Sequence, residues 1–204
     1  MNGWSLTYEG FLPTEEGLRE ALCTLGNGVF ATRGAAPEAV ADEVHYPGTY
    51  AAGVYDRLRT EIAGRTVENE DLVNLPNWLV LTFRPEGGNW LDLGSVEVLS
   101  YMQELDLRTG VLSRAFRFRD ADGRTTGVRQ RRLVSMAEPH LAALETTIVP
   151  EDWSGRLEVR SGLDGAVTNS GVDRYRSLRG DHLVDLGHGG VDIAWAGPGD
   201  LGEH

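Results

Sequence analysis

Along most of the chain apolar residues recur at every second position, the period of a strand with one buried face. Trp4, Leu6 and Tyr8 alternate with polar neighbours and predict an opening strand. Residues 78–83 are β-branched and aromatic, and Pro85-Glu86-Gly87-Gly88 ends them with turn chemistry. Leu112, Arg114, Phe116 and Phe118 share one face of a further strand, with Ser113, Ala115 and Arg117 on the other. Asp120-Ala121-Asp122-Gly123 closes a hairpin whose return strand runs from Thr125 to Val134, Val128 alternating with arginines. Residues 140–149 form another strand, ended by Pro150, and residues 156–163 put leucine and valine on one face. Residues 183–186 and 191–195 read as a last pair around Gly187-His188-Gly189-Gly190. Turns spaced about eight to twelve residues apart predict an all-β fold, an antiparallel β-sandwich.

Helix is scarce. Residues 13–21 hold a single predicted turn, with Thr14 as N-cap and Glu16 and Glu20 on the polar face, weakened by Gly17. Gly26-Asn27-Gly28 hinges two short apolar runs, and Asn-Gly supplies the positive φ angles of a tight hairpin. The 26 glycines are scattered between strands, as turns and bulges require, rather than gathered in a linker. The terminal residues 197–204 are turn-rich and expected to fray.

Composition narrows the partners. The 204 residues carry a formal charge of −12 and 41% apolar residues, enough for a real core in one domain spanning 1–204. Such an acidic chain is repelled by nucleic acid and by anionic membranes. The single dense basic run, Arg129-Gln130-Arg131-Arg132, reads as alternation within a strand. Cys23 is the sole cysteine, so no intrachain disulfide forms, and its apolar neighbours make it a small buried hydrophobe. The chain shows neither a basic leader with an apolar core nor a stretch of about 18 apolar residues, which favours a cytoplasmic protein.

The search for catalytic chemistry is mostly negative. Asp56, Glu61, Glu68, Glu70 and Asp71 crowd one region, but a solvated loop explains them, and adjacent Glu70 and Asp71 face opposite ways when extended. His182 and His188 with Asp181 and Asp185 match no metal-ligand spacing, and Asp120-Ala121-Asp122-Gly123 lacks the downstream glutamate of a calcium loop. Gly26-Asn27-Gly28 opens no helix and is no phosphate cradle, and Ser135 near His140 sits on no sharp elbow. Tyr50, Tyr55, Asn74, Asn77 and Trp78 are the inventory of a carbohydrate cleft, aromatic faces for sugar rings and amides for hydroxyls. Asn74-Leu75-Pro76-Asn77 predicts an ordered turn in which the asparagines bond their own backbone.

The segment from Glu20 to Gly34, with 47–56 and 72–78 after it, resembles the opening of glycoside hydrolase family 65, the maltose, trehalose and kojibiose phosphorylases. Residues 105–112, 132–142 and Trp153-Ser154-Gly155 followed by 159–165 are similar to that family in the same order. The resemblance implies a large supersandwich of the galactose-mutarotase type, preceding an (α/α)6 barrel that carries the general-acid glutamate and the phosphate site. No family catalytic residue falls on this chain, because the barrel is absent from it. The implied role is a non-catalytic N-terminal domain that buttresses the barrel of an inverting α-glucoside phosphorylase or hydrolase. Inorganic phosphate is the implied co-substrate if the parent is a phosphorylase, with no cofactor or metal. The implied partners are the barrel, an α-glucoside disaccharide bound by the parent enzyme, and a second subunit in a homodimer. The candidates for an active-site rim are Tyr50, Asn74, Asn77 and Trp78. Two other readings stay open: a free-standing carbohydrate-binding sandwich, and a mutarotase-type epimerase. The latter needs a His acid and a Glu base in one cleft, which His140 and Glu145, five apart in one strand, do not supply.

Overall fold

The computed structural model describes residues 3–169 and 178–184. The strand pair expected after residue 182, together with Asp185 and His188, lies outside the described residues apart from Leu183 and Val184. In chain order the elements are β1 (Ser5–Glu9), α1 (Glu16–Leu22), β2 (Leu25–Gly26), β3 (Phe30–Thr32), β4 (Thr49–Ala51), β5 (Tyr55–Ile62) and β6 (Arg65–Leu72). There follow β7 (Leu81–Pro85), β8 (Glu97–Asp106), β9 (Val111–Arg119), β10 (Thr125–Val134), β11 (Ala142–Pro150) and β12 (Leu157–Ser161). The expected antiparallel β-sandwich is what forms. A five-stranded sheet in the order β1-β8-β9-β10-β11 is one layer. Its inner face is covered by the β7–β12 pair at one end and by α1 with the β2-β3-β4 sheet at the other.

The alternation read in β9 and β10 fixes that inner face. Leu112, Arg114, Phe116 and Phe118 are all buried, and β10 buries Val128, Gln130, Arg132 and Val134. Register stacks these residues into rows. Tyr101, Phe116 and Val128 align across β8, β9 and β10, and Leu105 and Leu112 align in a second apolar row. Between them runs a polar row, Gln103, Arg114 and Gln130, so the core divides into two apolar clusters. Arg114 donates to Gln130 Oε1 at 3.0 Å, to the Tyr101 hydroxyl at 3.2 Å, and to both oxygens of Glu38 at 2.5 and 2.9 Å. Burial opposes the Arg114 charge, but Glu38 and Tyr101 outweigh it and hold the guanidinium firmly protonated. The basic run is thus split: Arg129 and Arg131 face solvent, while Arg132 points inward and donates to the Ala35 carbonyl at 2.9 Å. Burial, with Arg114 nearby, pulls Arg132 down to about 10, still charged at neutral pH.

The helix is longer than expected and turned inside out. Pro13 opens a 3-10 turn that runs into α1, and no side chain caps either start. Thr14 therefore lies inside the first turn rather than at its N-cap, and the fixed φ of Pro13 suits the start of a helix. Glu16, Arg19 and Glu20 are 2–3% exposed, whereas Leu18 and Leu22 are 61% and 51% exposed. Glu16 and Arg19 pair within the helix at 3.2 Å, and the other partners come from outside it. Glu20 accepts from Tyr46 N at 2.8 Å and bonds His45 Nδ1 at 2.7 Å, and Arg19 donates to the Gly10 carbonyl at 2.9 Å. Gly34 lets the next segment approach: a Cβ there would stand 2.8 Å from Cys23 Cβ and 3.0 Å from the Glu20 carbonyl oxygen.

The Gly-Asn-Gly hairpin forms, with a different division of labour. Gly28 alone takes a positive φ, 86°. Asn27 holds the turn with its side chain: Oδ1 accepts from Val29 N and Phe30 N, while Nδ2 donates to the Ser135 and Pro139 carbonyls at 2.7 and 3.0 Å. One amide thereby ties the hairpin to the turn between β10 and β11. The apolar stripe expected along β12 is only partly inward, since Leu157 packs on the core and Val159 is 55% exposed.

The Arg114–Glu38 pair generates one prediction. Glu38→Gln leaves a buried guanidinium without its counter-charge and costs about 3–5 kcal/mol in urea unfolding. The double variant Glu38→Leu with Arg114→Met recovers most of that loss, and equal instability of both variants would refute the charge explanation. His45 generates another. Its bond to Glu20 raises its pKa against the opposing effect of burial. The folded form therefore holds a proton more tightly than the unfolded chain, and the stabilisation is complete below the ordinary histidine value of about 6.5. It is lost as pH rises through the raised, folded-state pKa. Wild type should melt above His45→Gln in acid, the gap closing at alkaline pH; a gap independent of pH would count against it.

Candidate functional site

Tyr50 is where the sequence-predicted inventory meets a cavity. It lies in β4, half-buried, and its hydroxyl bonds the Tyr46 hydroxyl at 2.6 Å. Burial, then the Tyr46 bond, pushes the Tyr50 phenol far up, so it stays a neutral donor and acceptor. The two tyrosines line a cavity of about 570 Å3 with Arg33, Asp71, Asn169 and Arg179. Arg33 lies 5.0 Å from the Tyr46 ring centre and donates to the Tyr46 carbonyl at 2.8 Å, fixing that ring. Asn169 Oδ1 stands 3.5 Å from the Tyr46 hydroxyl, and its Nδ2 donates to the Leu72 carbonyl at 2.8 Å. The wall thus combines phenols, an amide, guanidinium groups and one carboxylate.

The asparagines stand behind this wall. Asn74, 1% exposed, accepts from Thr49 N at 3.0 Å and donates to the Pro47 and Thr168 carbonyls. It bonds distant backbone rather than its own, and so fixes the entry to β4 and the height of Tyr50. Asn77 is 5% exposed, accepts from Leu79 N at 3.1 Å, and pairs its backbone with Asp164. Trp78 is half-buried, its indole N–H buried without a protein acceptor. Tyr55 is 61% exposed. Of the aromatic and amide residues predicted for a cleft, only Tyr50 lines this cavity, with Asp71 from the crowded carboxylates.

The crowded carboxylates belong to a regular hairpin, β5–β6, and not to a loop. Ala63 and Gly64 turn it with φ of 50° and 75°. Across it Glu70 meets Arg57 at 2.5 Å and Glu68 meets Arg59 at 3.1 Å, exposed pairs that organise the hairpin more than they stabilise it. Asp56 and Asp71 are opposite each other in register, and the buried His182 ring sits over both. Its Nδ1 bonds Asp56 at 3.1 Å, which lowers the Asp56 pKa, and its Nε2 is 3.6 Å from Asp71. Among the described residues no group of three or more His, Cys, Asp or Glu is arranged to hold a metal. In the Asp120–Gly123 turn the cationic partner is Arg124, 2.7 Å from both Asp120 and Asp122.

Other sequence candidates disperse. Ser135 accepts from Glu138 N, His140 lies in the exposed turn before β11, and Glu145 pairs with Arg131 at 2.5 Å on the outer sheet face. The residues missed from sequence are Arg33, Tyr46, Asn169 and Arg179. A signal for two of them was present: Arg33 lies within the opening motif, and Tyr46 precedes the Pro-Gly that leads into β4. Asn169 and Arg179 converge only in space. No helix among the described residues is long and apolar enough to cross a membrane.

Comparison with known proteins adds the family. Residues 6–196 match the model of the glycosyl hydrolase family 65 N-terminal domain. An uncharacterised glycosyl hydrolase of Mycobacterium tuberculosis is 55% identical over 181 residues, covering 89% of this chain and 14% of the relative. A kojibiose phosphorylase of Halothermothrix orenii is 32% identical, with 81% and 20% covered. A trehalose 6-phosphate phosphorylase of Lactococcus lactis is 33% identical, with 78% and 20% covered. A solved structure assigned to a kojibiose phosphorylase from the human microbiome superposes with a TM-score of 0.73 at 22% identity, over 84% of this chain and 23% of that one. The chain thus spans about a fifth or less of the length of these curated relatives. The chain belongs to glycosyl hydrolase family 65 and is its N-terminal domain.

Proposed function

We propose that this chain is the non-catalytic β-sandwich of an α-glucoside phosphorylase or hydrolase. It serves to buttress a catalytic barrel encoded beyond the family's N-terminal domain. The observation that carries this reading is the family match over residues 6–196 in a chain covering only a fifth of kojibiose and trehalose 6-phosphate phosphorylases. The whole protein then acts on a disaccharide, with inorganic phosphate as co-substrate if it is a phosphorylase. It is a cytoplasmic enzyme of sugar metabolism and a homodimer, engaging neither nucleic acid nor membrane. Residues 1–204 form one domain of it.

Within that reading the cavity beside Tyr50 is part of the active-site rim. Tyr50 presents its hydroxyl, Asn74 sets the height of β4, and Asn77 and Trp78 brace the adjoining turn. The paired tyrosine hydroxyls and the Arg33 platform support this placement, because phenols, amides and guanidinium groups all hydrogen-bond sugar hydroxyls.

Two measurements test it. The 204-residue chain alone, given maltose, trehalose or kojibiose with phosphate, should release no sugar phosphate or free glucose; turnover by the chain alone would sink the scaffold reading. In the full-length protein Tyr50→Phe should raise KM for the disaccharide about three- to tenfold with kcat little changed, the loss of one bond made equally in ground and transition states. If neither Tyr50→Phe nor Trp78→Ala moves KM or Tm, the rim assignment fails.

A further inference from the structure

A second cleft lies under the polar row, on the other side of the segment at residues 43–46. It encloses about 510 Å3, a size typical of small-molecule sites. Phe11, Leu91 and Leu93 supply apolar wall, and Glu16, His45 and Arg160 supply polar groups that the fold leaves with bonding capacity. Glu16 carries the strongest signal. Its side chain is 4% exposed, and Oε1 accepts from Arg19 Nη1 at 3.2 Å, while Oε2 has no donor among the described residues and the side chain lines the cleft. Oε2 is thereby left as an acceptor that a molecule in the cleft can reach. Burial, against the pull of Arg114 and Arg19, raises its pKa.

His45 contributes from the facing segment. Nδ1 is committed to Glu20 at 2.7 Å, which fixes the ring and leaves Nε2 free. Arg160, at the mouth, stands 4.2 Å from the Trp90 ring centre and has no carboxylate partner among the described residues. The Glu38–Arg114 pair closes the back wall, each charge matched by the other. Asp42 and Asp92 also line the cleft, so carboxylates outnumber the cations there, and an anionic ligand would be repelled.

The geometry points to a binding site for one neutral monosaccharide ring, a hexose, in this cleft. Its hydroxyls would bond Glu16 Oε2, His45 Nε2 and the Arg160 guanidinium, and its C–H face would lie on the Phe11–Leu91 wall. This site is separate from the Tyr50 cavity and goes beyond the scaffold role. Its failure would leave that role untouched, because catalysis by the full-length protein does not depend on it.

Titration of the 204-residue chain with glucose, followed by Trp fluorescence and calorimetry, tests the site. Saturable one-to-one binding is expected for glucose, and none for glucose 1-phosphate at the same concentrations. Glu16→Gln should weaken glucose binding about tenfold, the loss of one hydrogen bond to a charged group. Because Glu16 is buried, Arg160→Gln at the exposed mouth provides a variant that folds, and it too should weaken binding. Glu104→Gln on the outer sheet face should not. Failure of glucose to saturate, binding unchanged in both Glu16→Gln and Arg160→Gln, or equal binding of the sugar phosphate would each overturn the proposal.

Discussion

The contact between Arg114 and Glu38 governs much of this domain. A guanidinium on the inner face of a sandwich is costly, because desolvation opposes its charge. Here the cost is met by four hydrogen bonds and a carboxylate delivered from far away in sequence. The carboxylate comes from the segment between β3 and β4, so the pair dictates where that segment runs. Arg132, one residue pair along the same inner face, takes the Ala35 carbonyl and fixes the same segment at a second point. The segment has little regular structure of its own, and two buried cations of the sheet hold it.

That arrangement divides the core. An unbroken apolar face across β8, β9 and β10 would let the opposing layer slide, whereas the polar row Gln103–Arg114–Gln130 admits one partner position. One apolar cluster then gathers around Phe116 and Phe83, the other around Leu112 and Cys23. The division also explains the inverted helix. Residues 33–48 bring His45 and the Tyr46 amide against α1, so the inward face of α1 must carry matching acids. Leu18 and Leu22 are left outside as a consequence.

These relations separate what the sequence discloses from what it hides. The strands β9 and β10 and the turn joining them are legible because period-two burial is a local pattern that survives any tertiary context. The fate of the arginine run was only half legible. Alternation places Arg129 and Arg131 opposite Arg132, but nothing local tells which side faces the core. Glu20 misled for the same reason: an acid on a helix reads as solvent-facing until its partners, His45 and Tyr46, are known. Asn74 and Tyr50 were found together by composition, yet their roles differ, one bonding backbone and the other lining a cavity. Only the path of residues 33–48 separates them.

The same segment forms a wall of both cavities. Tyr46, in the Tyr50 cavity, and His45, in the hexose cleft, are adjacent residues whose backbone and ring are both held by one carboxylate, Glu20. The turn closed by Asp42 N on the His45 carbonyl sets the two neighbours toward different cavities, with Val44 bordering both. A ligand that drew the His45 ring toward itself would loosen its bond to Glu20 and, through the second carboxylate oxygen, the Tyr46 amide. The two sites are therefore joined by a single side chain in a well-packed region, where a small shift has no slack to absorb it. Coupling of that kind needs no relayed conformational change, only two bonds to the same carboxylate competing for its position.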